Sequence, residues 1–372
     1  MKIRSIVRFS QRGLLAAGFV CAVASPAVAQ TPRTKSTAKS ASTTKKAATT
    51  KAPPSVKASV QPAAAPATRT SVARARAAAR ARAAAEARVK QSQQRDAAAP
   101  KFKRDALGNL VPDVRAAASI VFNPKTGEVL WEENSHATRS IASLTKIMTA
   151  VTFIADDPNL DTKVTVTRED MLHASTTHLK AGDEVTLDGL LHLTLIASDN
   201  AAARALARTS EGGTSAFVGR MNDMAKQLGL TDTHYFDPSG LVDTNVSSAY
   251  DISHLISFAA SDQRLGSVMR TNEYVVQATQ RQIPIHSTNK LLSTDMNVVG
   301  GKTGFIAKAG YCLATLLQVP QGGTQVAVVV LGAANSATRF WEARHLFNWV
   351  VGKAQGIIGD DSGKVAPGVV IR

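Results

Sequence analysis

Apolar residues in the second two-thirds of the chain follow two spacings, one of two residues and one of three to four. Ala118-Ser119-Ile120-Val121-Phe122 and Val129-Leu130-Trp131 flank Asn123-Pro124-Lys125-Thr126-Gly127 and predict a hairpin. Pro124 fixes φ in its turn and Gly127 supplies a positive φ. Leu144, Ile147, Met148, Val151 and Ile154 mark one face of a buried helix. Residues 163–167 and 184–186 read as short strands around Ala181-Gly182-Asp183. Leu187, Leu190, Leu191 and Leu195 predict a second helix, interrupted at Ser198-Asp199-Asn200 before a third over 201–207. Phe217, Met221, Met224 and Leu228 give a fourth, closed by Gly229. After the loop Asp237-Pro238-Ser239-Gly240, residues 249–260 read as helix. Residues 274–277, 281–285, 311–317 and 325–331 read as strands, the last two joined by Pro320-Gln321-Gly322-Gly323, and 337–351 as a closing helix. This order predicts an α+β domain over 111–355. An antiparallel sheet is built from both ends of the domain, with helices packed on it and a mostly helical subdomain inserted.

The first 110 residues lack such patterns. Residues 1–29 combine a basic start, a short apolar run and Ala27-Val28-Ala29, and predict a cleaved secretory signal, hence export to the periplasm. The apolar run falls short of the roughly 20 residues that span a bilayer. Residues 30–110 are rich in Ala, Thr, Ser, Pro, Lys and Arg and predict a disordered basic linker, in which residues 72–95 have the composition of a solvated helix. Residues 356–372 form a C-terminal tail.

Charge follows this division. The chain carries 44 Lys+Arg and 28 Asp+Glu, a formal +16. Residues 30–104 hold 18 of the bases and two acids, and residues 1–29 hold four bases and no acid. That leaves 22 bases against 26 acids, so the folded part is mildly acidic and a nucleic-acid function is excluded. The basic linker suits an anionic envelope polymer or lipid, or serves as a charged spacer. Of the two cysteines, Cys21 lies in the signal and Cys312 in an apolar run, so the mature chain has no disulfide to form.

The candidate chemistry centres on Ser143-Leu144-Thr145-Lys146. Ser143 and Lys146 are neighbours on one helix face, and a neutral lysine beside a serine is a known way of activating the hydroxyl. The pattern alone is weak, since Ser36-Thr37-Ala38-Lys39 and Ser42-Thr43-Thr44-Lys45 share it in the linker. Lys-Thr-Gly also occurs twice, at 125–127 and 302–304, and Ser-x-Asn at 198–200 and 287–289. The informative signal is the ordered set of Ser143/Lys146 on a buried helix, Ser198/Asn200 at a helix junction and Lys302/Thr303/Gly304 on a strand. No His-Glu-x-x-His or other convincing ligand pair occurs among the eight histidines, so neither metal nor cofactor is expected. His178, His286 and His345 read as surface or core residues, and His192 as a plain helix position.

This ordered set resembles the low-molecular-mass penicillin-binding proteins, the D-alanyl-D-alanine peptidases. The likeness extends through Thr126-Gly127-Glu128-Val129-Leu130-Trp131, Asp237-Pro238-Ser239-Gly240-Leu241 and the stretch from Lys302 to Gly310. The resemblance implies a β-lactamase/transpeptidase-like fold with a five-stranded antiparallel sheet and an active site at the junction with the helical subdomain. It implies a serine hydrolase in which Ser143 attacks, Lys146 is the base, its pKa lowered by burial and by a nearby cation that Lys302 can supply, and Ser198 relays a proton. Asn200, Lys302, Thr303 and Gly304 would bind substrate, and the backbone N–H groups of Ser143 and Phe305 would form the oxyanion hole. The implied partners are peptidoglycan peptide stems and, as covalent inhibitors, β-lactams.

Two departures refine the implied activity. A β-lactamase needs a deacylating glutamate, and no Glu-x-x-Leu-Asn lies between Asn200 and Lys302. Asp199 and Phe305 resemble the penicillin-binding protein 7 branch, which cuts cross-links, and the chain runs only to Arg372 where the family's carboxypeptidases often add a β-rich domain. A cross-link endopeptidase is therefore expected. The alternatives are a carboxypeptidase trimming pentapeptide stems and a non-catalytic cell-wall-binding protein.

Overall fold

The computed structural model describes residues 99–354, apart from 295, 321 and 322, together with residues 76, 77, 79–85 and 88. The expected signal, most of the basic linker and the C-terminal tail lie outside the described residues. The described residues between 76 and 88 are helical and exposed.

The domain starts with β1 (Phe102–Arg104), β2 (Leu110–Pro112), β3 (Ala118–Asn123), β4 (Glu128–Glu133) and β5 (Arg139–Ser140). A 3₁₀ turn, Ala142–Leu144, leads into α1 (Thr145–Ala155). The inserted subdomain contributes β6 (Lys163–Thr165), α2 (Arg168–Met171), β7 (Glu184–Thr186), α3 (Leu187–Leu195), α4 (Asn200–Thr209), α5 (Gly213–Gln227) and β8 (Val246–Ser247). Then follow α6 (Ala249–Ser261), α7 (Gln263–Arg270), β9 (Glu273–Ala278) and β10 (Arg281–His286). The chain returns through β11 (Val298–Ile306), β12 (Gly310–Gln318), β13 (Gln325–Ala333) and α8 (Thr338–Ala354).

The main sheet has the order β11-β12-β13-β3-β4 and every pairing is antiparallel. Both ends of the domain thus meet in one sheet, as the element order predicts. β12 and β13 read as unbroken apolar runs because both of their faces are covered. Ile120, Phe122, Leu316 and Val329 pack in the core that includes α1 and α6. Val121, Leu313, Val328 and Val330 face Phe340, Leu346 and Phe347 of α8. β11 is an edge strand, and one side of its backbone is left free.

Four details depart from the sequence reading. The linker expected to reach residue 110 ends earlier, because β1 pairs with β2 in register Phe102↔Pro112. That hairpin is tied down by an edge-to-face contact of Phe102 with His345 and by His345 Nε2 donating to Lys101 O at 2.7 Å. Second, β9 and β10 do not join the main sheet but form a separate one, β10-β9-β7-β6. Third, the strand expected over 163–167 stops at Thr165, since Thr167 starts α2 in a reciprocal capping box with Asp170. Fourth, α7 was not legible. Its apolar positions, Leu265, Val268 and Met269, are too few to stand out, and the cap of Asp262 on Arg264 and Leu265 starts it.

Candidate active site

The nucleophile turn is shaped by two close backbone approaches. Ala142, just ahead of Ser143, has φ +50°, a conformation costly for a residue with a Cβ. Its carbonyl presses on Gly240, where a Cβ would stand 2.0 Å from that oxygen. On the other side a Cβ at Gly304 would meet Ile141 O at 2.9 Å and Ser143 N at 3.1 Å. Glycine at 304 therefore lets edge strand β11 lie against the Ser143 turn. This close packing brings the free side of β11 beside the backbone N–H of Ser143.

Lys146 follows on the first turn of α1, fully buried. Its Nζ donates to Asn200 Oδ1 at 2.6 Å and to Ser239 O at 2.5 Å, and lies 3.1 Å from Ser143 Oγ. Burial lowers its pKa from the ordinary lysine range to about 7. The charges of Asp237 and Asp199 oppose that shift and Arg204 adds to it. Burial, one of the two causes expected, is the larger. Lys302 is itself fully buried, and burial, then repulsion from Lys146 and Arg339, holds its pKa well below the usual range.

Ser198 and Lys302 close the opposite side. Lys302 Nζ donates to Ser198 Oγ at 2.7 Å and to Thr303 O at 2.8 Å. Ser198 has φ +60°, and the next residue, Asp199, caps α4 by accepting from Ala202 N–H. The cap is why the helical pattern breaks at 198–200 and why Ser198 projects from a junction. Thr303 Oγ1 donates to Thr288 Oγ1 at 2.6 Å. Thr288 belongs to the Ser287-Thr288-Asn289 copy read as fortuitous, so that copy supports the third motif without being a second site. The other Lys-Thr-Gly, at 125–127, forms the β3–β4 turn, where its residues are exposed.

The structure thus brings Ser143, Lys146, Ser198, Asn200, Lys302, Thr303 and Gly304 together. Asn200 is buried beside Lys146, and its Nδ2 donates to Ala174 O at 2.5 Å. Its amide is engaged within the protein and acts on Lys146. Phe305 is half exposed at the rim and stacks on Tyr311.

Several contributors carried no assigned role in the sequence. Ser239 acts through a backbone carbonyl, which leaves no side-chain signature. His178 donates its backbone N–H to Asp199 Oδ2, and its ring lies 3.4 Å from that oxygen. Arg339 is buried on α8 and donates to Gly304 O at 3.0 Å and Cys312 O at 3.2 Å, bracing β11 from behind. A buried arginine among Phe340 and Trp341 was the signal that could have found it. His192 stacks on Tyr274 and hydrogen-bonds to Asp188 O, as a plain helix position.

A family model, the S11 peptidases described as D-alanyl-D-alanine carboxypeptidase, matches residues 105–335, a span containing all of these residues except Arg339. The chain belongs to the D-alanyl-D-alanine carboxypeptidase family. It is an S11 serine peptidase with the family's α+β fold. The D-alanyl-D-alanine endopeptidase of Escherichia coli is 29% identical over 261 residues, covering 69% of this S11 chain and 80% of that protein. The D-alanyl-D-alanine carboxypeptidase of a Streptomyces strain is 32% identical over 257 residues, 64% of this chain and 88% of its own. The crystal structure of the Streptomyces K15 DD-transpeptidase superposes with a TM-score of 0.61 at 30% identity, over 64% of this chain and 98% of that one.

Proposed function

We propose that this S11 peptidase is a penicillin-sensitive D-alanyl-D-alanine endopeptidase that cleaves peptidoglycan cross-links in the periplasm. The observation that carries the reading is the buried Lys146, held near neutrality 3.1 Å from Ser143 Oγ. At pH 7 a large fraction of such a lysine is neutral, whereas an ordinary lysine with pKa ~10.4 is almost wholly charged.

In the proposed reaction Ser143 Oγ attacks the carbonyl of a D-Ala–D-amino-acid bond while Lys146 takes its proton. The backbone N–H groups of Ser143 and Phe305 receive the developing oxyanion, each contributing about 3 kcal/mol. Ser198 relays the proton held by Lys146 to the departing amine, the C–N bond breaks, the acyl group stays on Ser143, and Lys146 is neutral again. Water then replaces the amine, gives its proton to the same base, and frees the serine. Lys302 and Thr303 hold a substrate carboxylate, and the arriving negative charge favours the ammonium that burial disfavours. Asn200 orients Lys146.

Penicillin uses the first half of the same path. The two carboxylates whose charges act on Lys146 are both occupied. Asp237 accepts from Ser239, Gly240 and Val242 N–H, and Asp199 from Ala202 and His178 N–H. Both are engaged within the protein, and no Glu-x-x-Leu-Asn lies between Asn200 and Lys302, so the penicilloyl ester is expected to persist.

The cross-link specificity is supported by the likeness of Asp199 and Phe305 to the endopeptidase branch and by the E. coli relative's name. Incubation with a cross-linked muropeptide dimer and with a monomeric pentapeptide tests it. Conversion of the dimer to monomers is expected; release of terminal D-Ala alone would make the enzyme a carboxypeptidase.

A further inference from the structure

The loop from Phe236 to Asn245 grips the catalytic helix at successive turns, and none of its grip is explained by substrate binding. Ser239 O accepts from Lys146 Nζ, and Pro238 O accepts from Thr149 Oγ1 at 2.6 Å. Gly240 lies against the Ala142 carbonyl. The residue that shapes the loop is Asn245, which is fully buried. Its Oδ1 accepts from Phe236 N–H at 2.7 Å and Asp237 N–H at 3.2 Å. Its Nδ2 lies 2.9 Å from both Asp237 O and Asp237 Oδ1 and 3.1 Å from Thr145 Oγ1. Thr145 Oγ1 in turn donates to Ala142 O at 2.8 Å, so one side chain links the loop to the turn that carries Ser143.

The consequence lies at Lys146 Nζ. A neutral amine has two N–H bonds and one lone pair. Ser239 O is a carbonyl and can only accept. Asn200 Nδ2 is committed to the Ala174 carbonyl, so the oxygen end of that amide faces Lys146 and also only accepts. These two acceptors take both hydrogens, and the third direction, toward Ser143 Oγ, is left for the lone pair. We propose that Asn245 is a positioning residue for the reaction, holding the Ser239 carbonyl on Lys146 and thereby aiming the lone pair of the base at Ser143. The charged groups acting on Lys146 are Asp237 on the loop, Asp199 before α4, Arg204 on α4 and Lys302 on β11, and Asn245 adds no charge to them.

The proposal rests on Ser143 and Lys146 being nucleophile and base, and one experiment separates the two ideas. Acylation of the intact protein by a fluorescent penicillin is followed from pH 5.5 to 9.5. Unlabelled wild-type protein would sink the underlying reading itself. Given labelled wild type, Asn245→Ala is expected to lower the high-pH plateau about tenfold, a part of the roughly 10²–10⁴-fold that a well-placed general base contributes. It should also move the acid limb to lower pH, because the ammonium loses an acceptor. Thr145→Val cuts the other end of the same link and should reproduce both changes, while Thr145→Ser retains wild-type behaviour; this pair decides the matter if Asn245→Ala does not fold. Asn222 supplies the control, since it clasps Tyr235 N–H and O just ahead of the loop and its other hydrogen bond goes to Val218 O, on its own helix. Asn222→Ala should lose stability with the pH profile unmoved. A profile unchanged in Thr145→Val, or shifted equally by Asn222→Ala, overturns the proposal.

Discussion

Lys302 Nζ donates to Ser198 Oγ at 2.7 Å from a position with no exposure to solvent. Removing water from an ammonium is costly unless a counter-charge repays it, and both of its hydrogen-bond acceptors are neutral oxygens, Ser198 Oγ and Thr303 O. Lys302→Met keeps the buried stem and discards the charge. Penicillin acylation is expected to fall by a factor on the order of 100, the scale of a lost electrostatic anchor, while the melting temperature stays level or rises. Paired acylation and thermal-melting measurements check both halves.

The pH profile follows from Lys146. Its folded pKa is lowered to about 7, and the neutral form is the active one. Acylation should therefore increase with pH through an apparent value near 7 and be lost as pH falls below it. The same shift links to stability. Between about 7 and 10.4 the unfolded chain binds the proton that the folded lysine lacks, so this residue makes stability rise with pH across that window. Rate–pH and melting–pH curves of wild type and Lys146→Met separate the two effects.

Two glycines predict opposite outcomes. Gly240 has φ +78° and faces the Ala142 carbonyl, so Gly240→Ala should destabilise by more than about 2 kcal/mol and abolish labelling of Ser143. Gly219, inside α5, has open space around it, so Gly219→Ala should stabilise by about 0.5–1 kcal/mol and leave activity alone. Denaturant melts of both variants test the contrast.

Cys312 is fully buried, and burial pushes its thiol up to about 11. A thiol reagent at pH 8 should leave it unmodified in the native protein and titrate it after unfolding. Fast native labelling would contradict the packing of β12 on Arg339.

The sheet, the catalytic helix and the three motif positions were legible because each rests on side-chain identity and periodicity. Ile147, Met148 and Val151 announce a helix, and Lys302 is a lysine in an otherwise small and apolar strand. What could not be read acts through backbone or through burial. The Ser239 carbonyl, the close approaches at Gly240 and Gly304, and the commitment of the Asn200 amide to Ala174 have no pattern in one dimension. The charge of Arg204 acting on Lys146 was hidden for the same reason. The β1–β2 hairpin was hidden because strands of three residues beside a basic linker carry too little apolar signal.

The central claim is that Ser143 is the nucleophile activated by Lys146. Intact-mass and peptide-mapping spectrometry after benzylpenicillin treatment tests it most directly. One penicilloyl adduct is expected, located on the Ser143 peptide, persistent over hours, and absent from Ser143→Ala and Lys146→Met. No adduct on the folded wild-type protein, or an adduct that survives Ser143→Ala, would contradict the account.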